Sequence, residues 1–194
     1  MDRILDAIME KLLSSGYAKE EDAEIVRYGL ELTIMTTLTT AFMIITAILM
    51  KSFIAVIVFL ALYMPMRNCC GGYHSASRLG CFMISVVMLA AVIAASKLIH
   101  DPERLYVSAA FLFSGIVVIL FAAPTETPTK PFDDTERRVF RRRSLMITAL
   151  GTALAVISAV FRLYILTLSL SLAVFVTAFL LVAGRISNRK GVEK

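Results

Sequence analysis

The chain has 194 residues, 58% of them hydrophobic and 18% charged, with a mean hydropathy of +0.79 and a formal net charge of +5. A water-soluble domain of this size is nearer half apolar and a quarter charged, and here the apolar excess is gathered into blocks, which is the pattern of a membrane protein. The basic residues avoid those blocks, a distribution that suits anionic headgroups and excludes a nucleic-acid groove. Three cysteines, two of them adjacent, make a poor disulfide framework, so free thiols in a reducing compartment are expected.

Residues 1–27 are polar and charged. Ile4, Leu5, Ile8, Leu12 and Leu13 recur there at helical spacing among Asp6, Glu10 and Lys11, which predicts a short amphipathic helix lying on the membrane surface. The stretch lacks the basic start, single apolar run and small-residue cleavage site of a signal peptide. "SSGYAKEEDAEI" then reads as a turn followed by an acidic helix start. Six apolar blocks follow, at 32–50, 52–66, 79–96, 105–123, 144–161 and 163–184, and none contains Asp, Glu, Lys, Arg or His. Most approach the ~20 residues that a spanning helix needs. The 52–66 block is short: as a helix it covers roughly 22 Å of a ~30 Å hydrocarbon layer, so it either spans or re-enters, with the polar break after it at the bilayer boundary.

The expected fold class is therefore all-α, a polytopic membrane protein of about six transmembrane helices plus an N-terminal amphipathic helix, packed as one domain. With the N-terminus inside, all the Lys and Arg except Lys51, Lys97, Arg104 and Arg162 fall in the inner segments, which predicts both termini and the 67–78 break on the cytoplasmic side. The longest connection, 124–143, opens with three prolines in eight residues and ends in a basic run. Proline there predicts an extended, semi-rigid segment. The basic run reads as an anchor to acidic lipid or as a docking strip for an acidic peptide.

The break itself, "RNCCGGYHSASRLGC" at 67–81, holds all three cysteines and one of the two histidines. Cys81 follows Gly80 near the start of an apolar block, where helix-terminal N–H groups favour a sulfur anion, with Arg67 and Arg78 nearby. His74 is a candidate base, so the pair has the minimum equipment for cutting an acyl bond through a thioester. Seven residues along one helix is roughly 10 Å of rise, too far for a sulfur–imidazole contact. A working dyad thus needs a bend between 74 and 81, for which Gly71, Gly72 and Gly80 are permissive points. Asn68, Ser75 and Ser77 are candidate orienters of the imidazole. Two other readings stand beside this one. Cys69, Cys70, His74 and Cys81 are enough ligands for zinc, although adjacent cysteines do not match the usual ligand spacing, and buried membrane cysteines are commonly inert.

The Arg67, Gly72, His74, Cys81 pattern resembles the core motif of the accessory gene regulator B (AgrB) family of bacterial membrane peptidases. "EEDAEIVRYGLEL" at 20–32 and "APTETPTKPF" at 123–132 are similar to further stretches of that family. The resemblance implies a cysteine endopeptidase of quorum sensing, without cofactor or metal, in the bacterial cell membrane. It would process a small AgrD-type propeptide to a cyclic thiolactone or lactone autoinducing peptide. On that pattern Cys81 and His74 are catalytic, and Arg67, Gly71 and Gly72 support the site. Lys130, Arg137, Arg138 and Arg141 are candidates for holding the substrate's acidic tail. The partners implied are the propeptide, membrane lipids and a second copy of the chain, with no nucleic acid. A non-enzymatic peptide exporter and a zinc-stabilised membrane scaffold are the alternatives.

Overall fold

The computed structural model describes residues 2–15, 19–73, 77–125 and 133–192, and among these the regular elements are all helical. The chain divides into two compact units, 1–43 and 44–194. The first holds α1 (Asp2–Ser14), a 3₁₀ turn at Glu20–Asp22 and most of α2 (Ala23–Leu49). The α1 helix is amphipathic as its spacing predicts, with Asp6, Glu10 and Lys11 exposed and Leu5 and Met9 buried. Arg27 and Asp6 form an ion pair at 2.8 Å, but both side chains are about half exposed, so solvent screening leaves it a minor contribution.

The second unit carries the end of α2 and then α3 (Phe53–Cys70), α4 (Arg78–Leu98), α5 (Glu103–Ala122), α6 (Asp134–Val160) and α7 (Tyr164–Val192). Helices α2 to α7 are each long and apolar enough to cross a membrane, so this is a multi-pass membrane protein. Two boundaries differ from those read in the sequence. The 52–66 block does not stop at Met66: α3 runs through Pro65 and on to Cys70, 18 residues or roughly 27 Å, which removes most of the shortfall in length. Arg67, Asn68, Cys69 and Cys70 are thus helical. Likewise α6 starts ten residues ahead of its apolar block, so the basic run 137–143 is helical, while most of the proline-rich stretch expected to be extended (126–132) lies outside the described residues. Its start is specified locally by a capping box, in which Asp133 accepts from backbone N–H groups and the Glu136 carboxylate accepts from the Asp133 N–H.

In this unit α7 is the central helix, packed against α3, α4, α5 and α6; 67% of its apolar window is buried, against 44% or less in the other spans. Helices in lipid gain no hydrophobic energy by meeting, so they associate through close fit at small residues. Gly115 of α5 is such a point: a Cβ there would lie 2.9 Å from a Val174 methyl and 3.1 Å from the Phe175 backbone nitrogen. One turn away Phe111 stacks on Phe175 with centroids 4.7 Å apart.

Hydrogen bonds identify which helix ends share a side of the membrane. Ser52 at the start of α3 meets Ser96 at the end of α4, whose carbonyl accepts from Arg104 at the start of α5. At the opposite end the C-termini of α3, α5 and α7 join, as detailed below. Tight turns close the first side. After α2, Ser52 N–H reaches Ala47 O and Lys51 N–H reaches Ile48 O; after α6, Leu163 and Arg162 repeat the pattern with Ser158 and Ala159. These are Schellman caps in which Lys51 (φ 55°) and Arg162 (φ 58°) occupy the left-handed position that glycine usually takes.

The packing makes a testable distinction between two interface glycines. A Cβ at Gly151 would strike only the mobile end of Leu62, whereas one at Gly115 also meets α7 backbone. Gly115→Ala should therefore cost about 1–3 kcal/mol and Gly151→Ala less, read as melting temperature in detergent; the reverse order would contradict this packing.

Candidate active site

The site begins where α3 ends. Gly71 (φ 75°) and Gly72 (φ 131°) turn the chain out of the helix through backbone regions that side chains disfavour. Once outside a helix, their peptide groups need partners from elsewhere in the protein, because a buried peptide group left unpaired is costly. Cys70 O accepts the Thr125 N–H at 3.0 Å, and Gly71 forms a bridge with Thr125 so close that a Cβ at 71 would collide with the Thr125 carbonyl. Tyr73 N–H donates to Leu180 O on α7 at 2.9 Å. The Tyr73 carbonyl accepts from Arg67 Nη2 at 3.0 Å, while Arg67 Nη1 donates to the Tyr63 hydroxyl at 3.1 Å. Tyr63 and Arg67 lie one turn apart on α3, so one guanidinium joins the helix to the segment that leaves it.

The far wall is α7. Gly184 lies against the segment, and a Cβ there would sit 2.7 Å from the Gly72 carbonyl carbon and 2.8 Å from the Tyr73 nitrogen. Beside it Arg185 Nη2 donates to Ala122 O at 2.8 Å, holding the end of α5 from which Thr125 projects. Thr125 Oγ1 donates to the same carbonyl at 3.1 Å.

The chain then passes to α4. Ser77 is its extended N-cap, whose hydroxyl accepts the Gly80 N–H at 3.1 Å. Cys81 N–H bonds Ser77 O, placing Cys81 in the first full turn, with an exposed side chain. Of the other two thiols, Cys70 is fully buried and Cys69 is half-buried.

A family model described as Accessory gene regulator B matches residues 2–181. The chain belongs to the AgrB family. No curated protein and no solved structure matches it. Membership in AgrB places the protein in the processing of autoinducing peptides for quorum sensing.

Within this AgrB chain the structure joins Arg67, Gly71 and Gly72 in one network, and Cys81 stands in the first turn of the next helix, α4. His74 and Lys130 lie outside the described residues. Because α4 begins at Arg78, however, the helix carrying Cys81 starts after position 74, and the single-helix separation that would keep the pair apart does not arise. Arg137, Arg138 and Arg141 are exposed on the first turns of α6, Arg138 Nε donating to Asp134 O. Among the described residues no group of three or more His, Cys, Asp or Glu is placed to hold a metal. Sequence reasoning missed Tyr63, Thr125, Leu180, Gly184 and Arg185. A Tyr four residues before an Arg on one helix was a readable signal; Thr125, Leu180 and Gly184 act through backbone contacts that residue type does not announce, and Arg185 acts through a side chain whose partner lies 63 residues away.

Exposure separates the three thiols. In native protein in mild detergent, a neutral maleimide should label Cys81 fastest, Cys69 more slowly and Cys70 only after denaturation, as read by peptide mass spectrometry. Equal labelling of Cys70 and Cys81 before denaturation would contradict the burial of Cys70.

Proposed function

We propose that this AgrB-family protein is a membrane-embedded cysteine endopeptidase that removes the C-terminal part of a small AgrD-type propeptide and leaves a cyclic product. The Cys81 sulfur attacks the carbonyl carbon at the C-terminal end of the future ring. His74 takes the thiol proton and returns it to the leaving amine as the C–N bond breaks. The product of this step is an acyl-enzyme thioester plus the released tail. The substrate's own Cys or Ser then attacks the thioester carbonyl, closes a thiolactone or lactone, and restores the Cys81 thiol. The observation that carries this reading is the placing of Cys81: it is the exposed thiol of the three, at the start of α4, the next helix in the chain after the anchored glycine segment.

Energetics favour such a site at the membrane boundary. Exchange of one thioester for another is nearly neutral, whereas water would consume the acyl-enzyme irreversibly. Cyclisation therefore needs the incoming nucleophile held at high effective molarity and water kept scarce. Forming the thioester from an amide is uphill, so departure of the tail draws the reaction forward. The exposed arginines at the start of α6, with Lys130, are suited to receive an acidic tail and to keep it from returning. The reading also assigns the site to the cytoplasmic face, since the C-terminal ends of α3, α5 and α7 meet at one end of the bundle and the sequence stretches that follow them carry most of the basic residues outside the N-terminal segment.

Two outcomes are expected. In proteoliposomes, Cys81→Ala should abolish propeptide cleavage and His74→Ala should lower it by roughly 10²–10⁴-fold, with both proteins integrating normally; cleavage retained by Cys81→Ala would remove the nucleophile. In intact cells a membrane-permeant maleimide should label Cys81 and an impermeant one should not. Labelling by both reagents would reverse the assigned orientation.

A further inference from the structure

We propose that the C-terminal end of α7, through Gly184 and Arg185, is the bed that aligns the segment leading into His74, which makes both of them positioning residues for the peptidase reaction. The inference rests on the cysteine-peptidase reading above and adds to it residues far from the Arg/Gly/His/Cys motif.

The argument begins with a covalent fact. The Tyr73 carbonyl and the His74 nitrogen belong to one planar peptide unit, so whatever fixes that carbonyl fixes the direction in which the chain enters His74. Arg67 holds the carbonyl, and Leu180 O holds the Tyr73 N–H from the other side. Arg67 acts from α3, but Leu180 belongs to α7, four residues before Gly184. The absence of a Cβ at Gly184 lets the Gly72–Tyr73 peptide lie directly against the α7 backbone. Alanine there would place carbon 2.7–2.8 Å from two backbone atoms, a contact that no side-chain rotation relieves. Restoring ordinary van der Waals separation requires the segment to move by about 1 Å, and a displacement of that order in a catalytic group costs roughly 10²-fold in rate.

Arg185 acts on the same segment from a second direction. Its guanidinium crosses to carbonyls of the last turn of α5, Ala122 at 2.8 Å and Phe121 at 3.4 Å. That end carries Thr125, whose N–H holds Cys70 O and whose backbone bridges Gly71. Both α7 residues thus act on 70–73, one by contact and one through α5. Neither touches Cys81 in the described contacts, so they act through the segment and not on the reacting atoms.

The test uses the full chain in proteoliposomes with its propeptide. Gly184→Ala should lower kcat by roughly 10- to 100-fold with KM within about twofold of wild type. In a Cys69→Ala/Cys70→Ala background, its pH profile for Cys81 alkylation, measured without substrate, should move toward that of His74→Ala. A purely structural role would lower the amount of active enzyme and leave that profile in place. Arg185 is exposed, so Arg185→Met should integrate normally even if Gly184→Ala does not. It should lower kcat several-fold, and Arg185→Lys, which keeps a donor for the Ala122 carbonyl, should recover part of the loss. Wild-type kcat and an unmoved alkylation profile in Arg185→Met, or in a well-integrated Gly184→Ala, would overturn the inference. Cys81→Ala separates the two levels: retained cleavage there defeats the peptidase reading itself, whereas an inactive Cys81→Ala beside fully active α7 variants defeats only the positioning role.

Discussion

A peptide group that leaves a helix inside a packed bundle has to find its hydrogen-bond partner within the protein, because a buried unpaired group costs several kcal/mol. At residues 71–73 that requirement determines the surroundings. Cys70 O goes to Thr125, Tyr73 N–H to Leu180 and Tyr73 O to Arg67, so α3, α7 and the segment after α5 each supply a partner to a run of four residues. Direct backbone bonds of this kind demand close approach, and close approach demands glycine at 71, 72 and 184. The glycines and the hydrogen bonds are two aspects of one constraint.

The constraint suits the chemistry proposed for the segment. A flexible loop would let water reach an acyl-enzyme and would hold an imidazole only part of the time. A segment pinned at both peptide groups of Tyr73 delivers the chain to His74 in a defined direction, while the exposed Cys81 waits in the first turn of the next helix. Arg67 is informative here, since the sequence reading could place it near the sulfur only as a source of positive potential. In the structure its two terminal nitrogens are taken up by Tyr63 and Tyr73, and its part in the described network is to join backbone to helix.

The other end of the bundle is built differently. Lys51 and Arg162 close their turns as left-handed cap residues, and a Ser52–Ser96 hydroxyl contact ties α3 to α4. Glycine is absent from both turns. Close backbone packing between non-neighbouring segments is concentrated at the site end and along α5–α7, consistent with a bundle whose central helix doubles as the floor of its functional segment.

Several features were legible in the amino-acid order alone. The number of spans, the amphipathic start and the isolation of Cys69, Cys70, His74 and Cys81 in one break are set by which residues prefer lipid to water, a property each residue carries with it. The continuation of α3 through Cys70 and the early start of α6 at Asp134 were hidden because hydropathy marks where the apolar blocks stop, not where hydrogen-bonded helix does. The Asp133–Glu136 box was a local signal that could have found the second. Gly184, Leu180 and Thr125 had no such signal. They matter through distances between backbones far apart in the chain, and only the packing of α7 against α3 and α5 decides those distances.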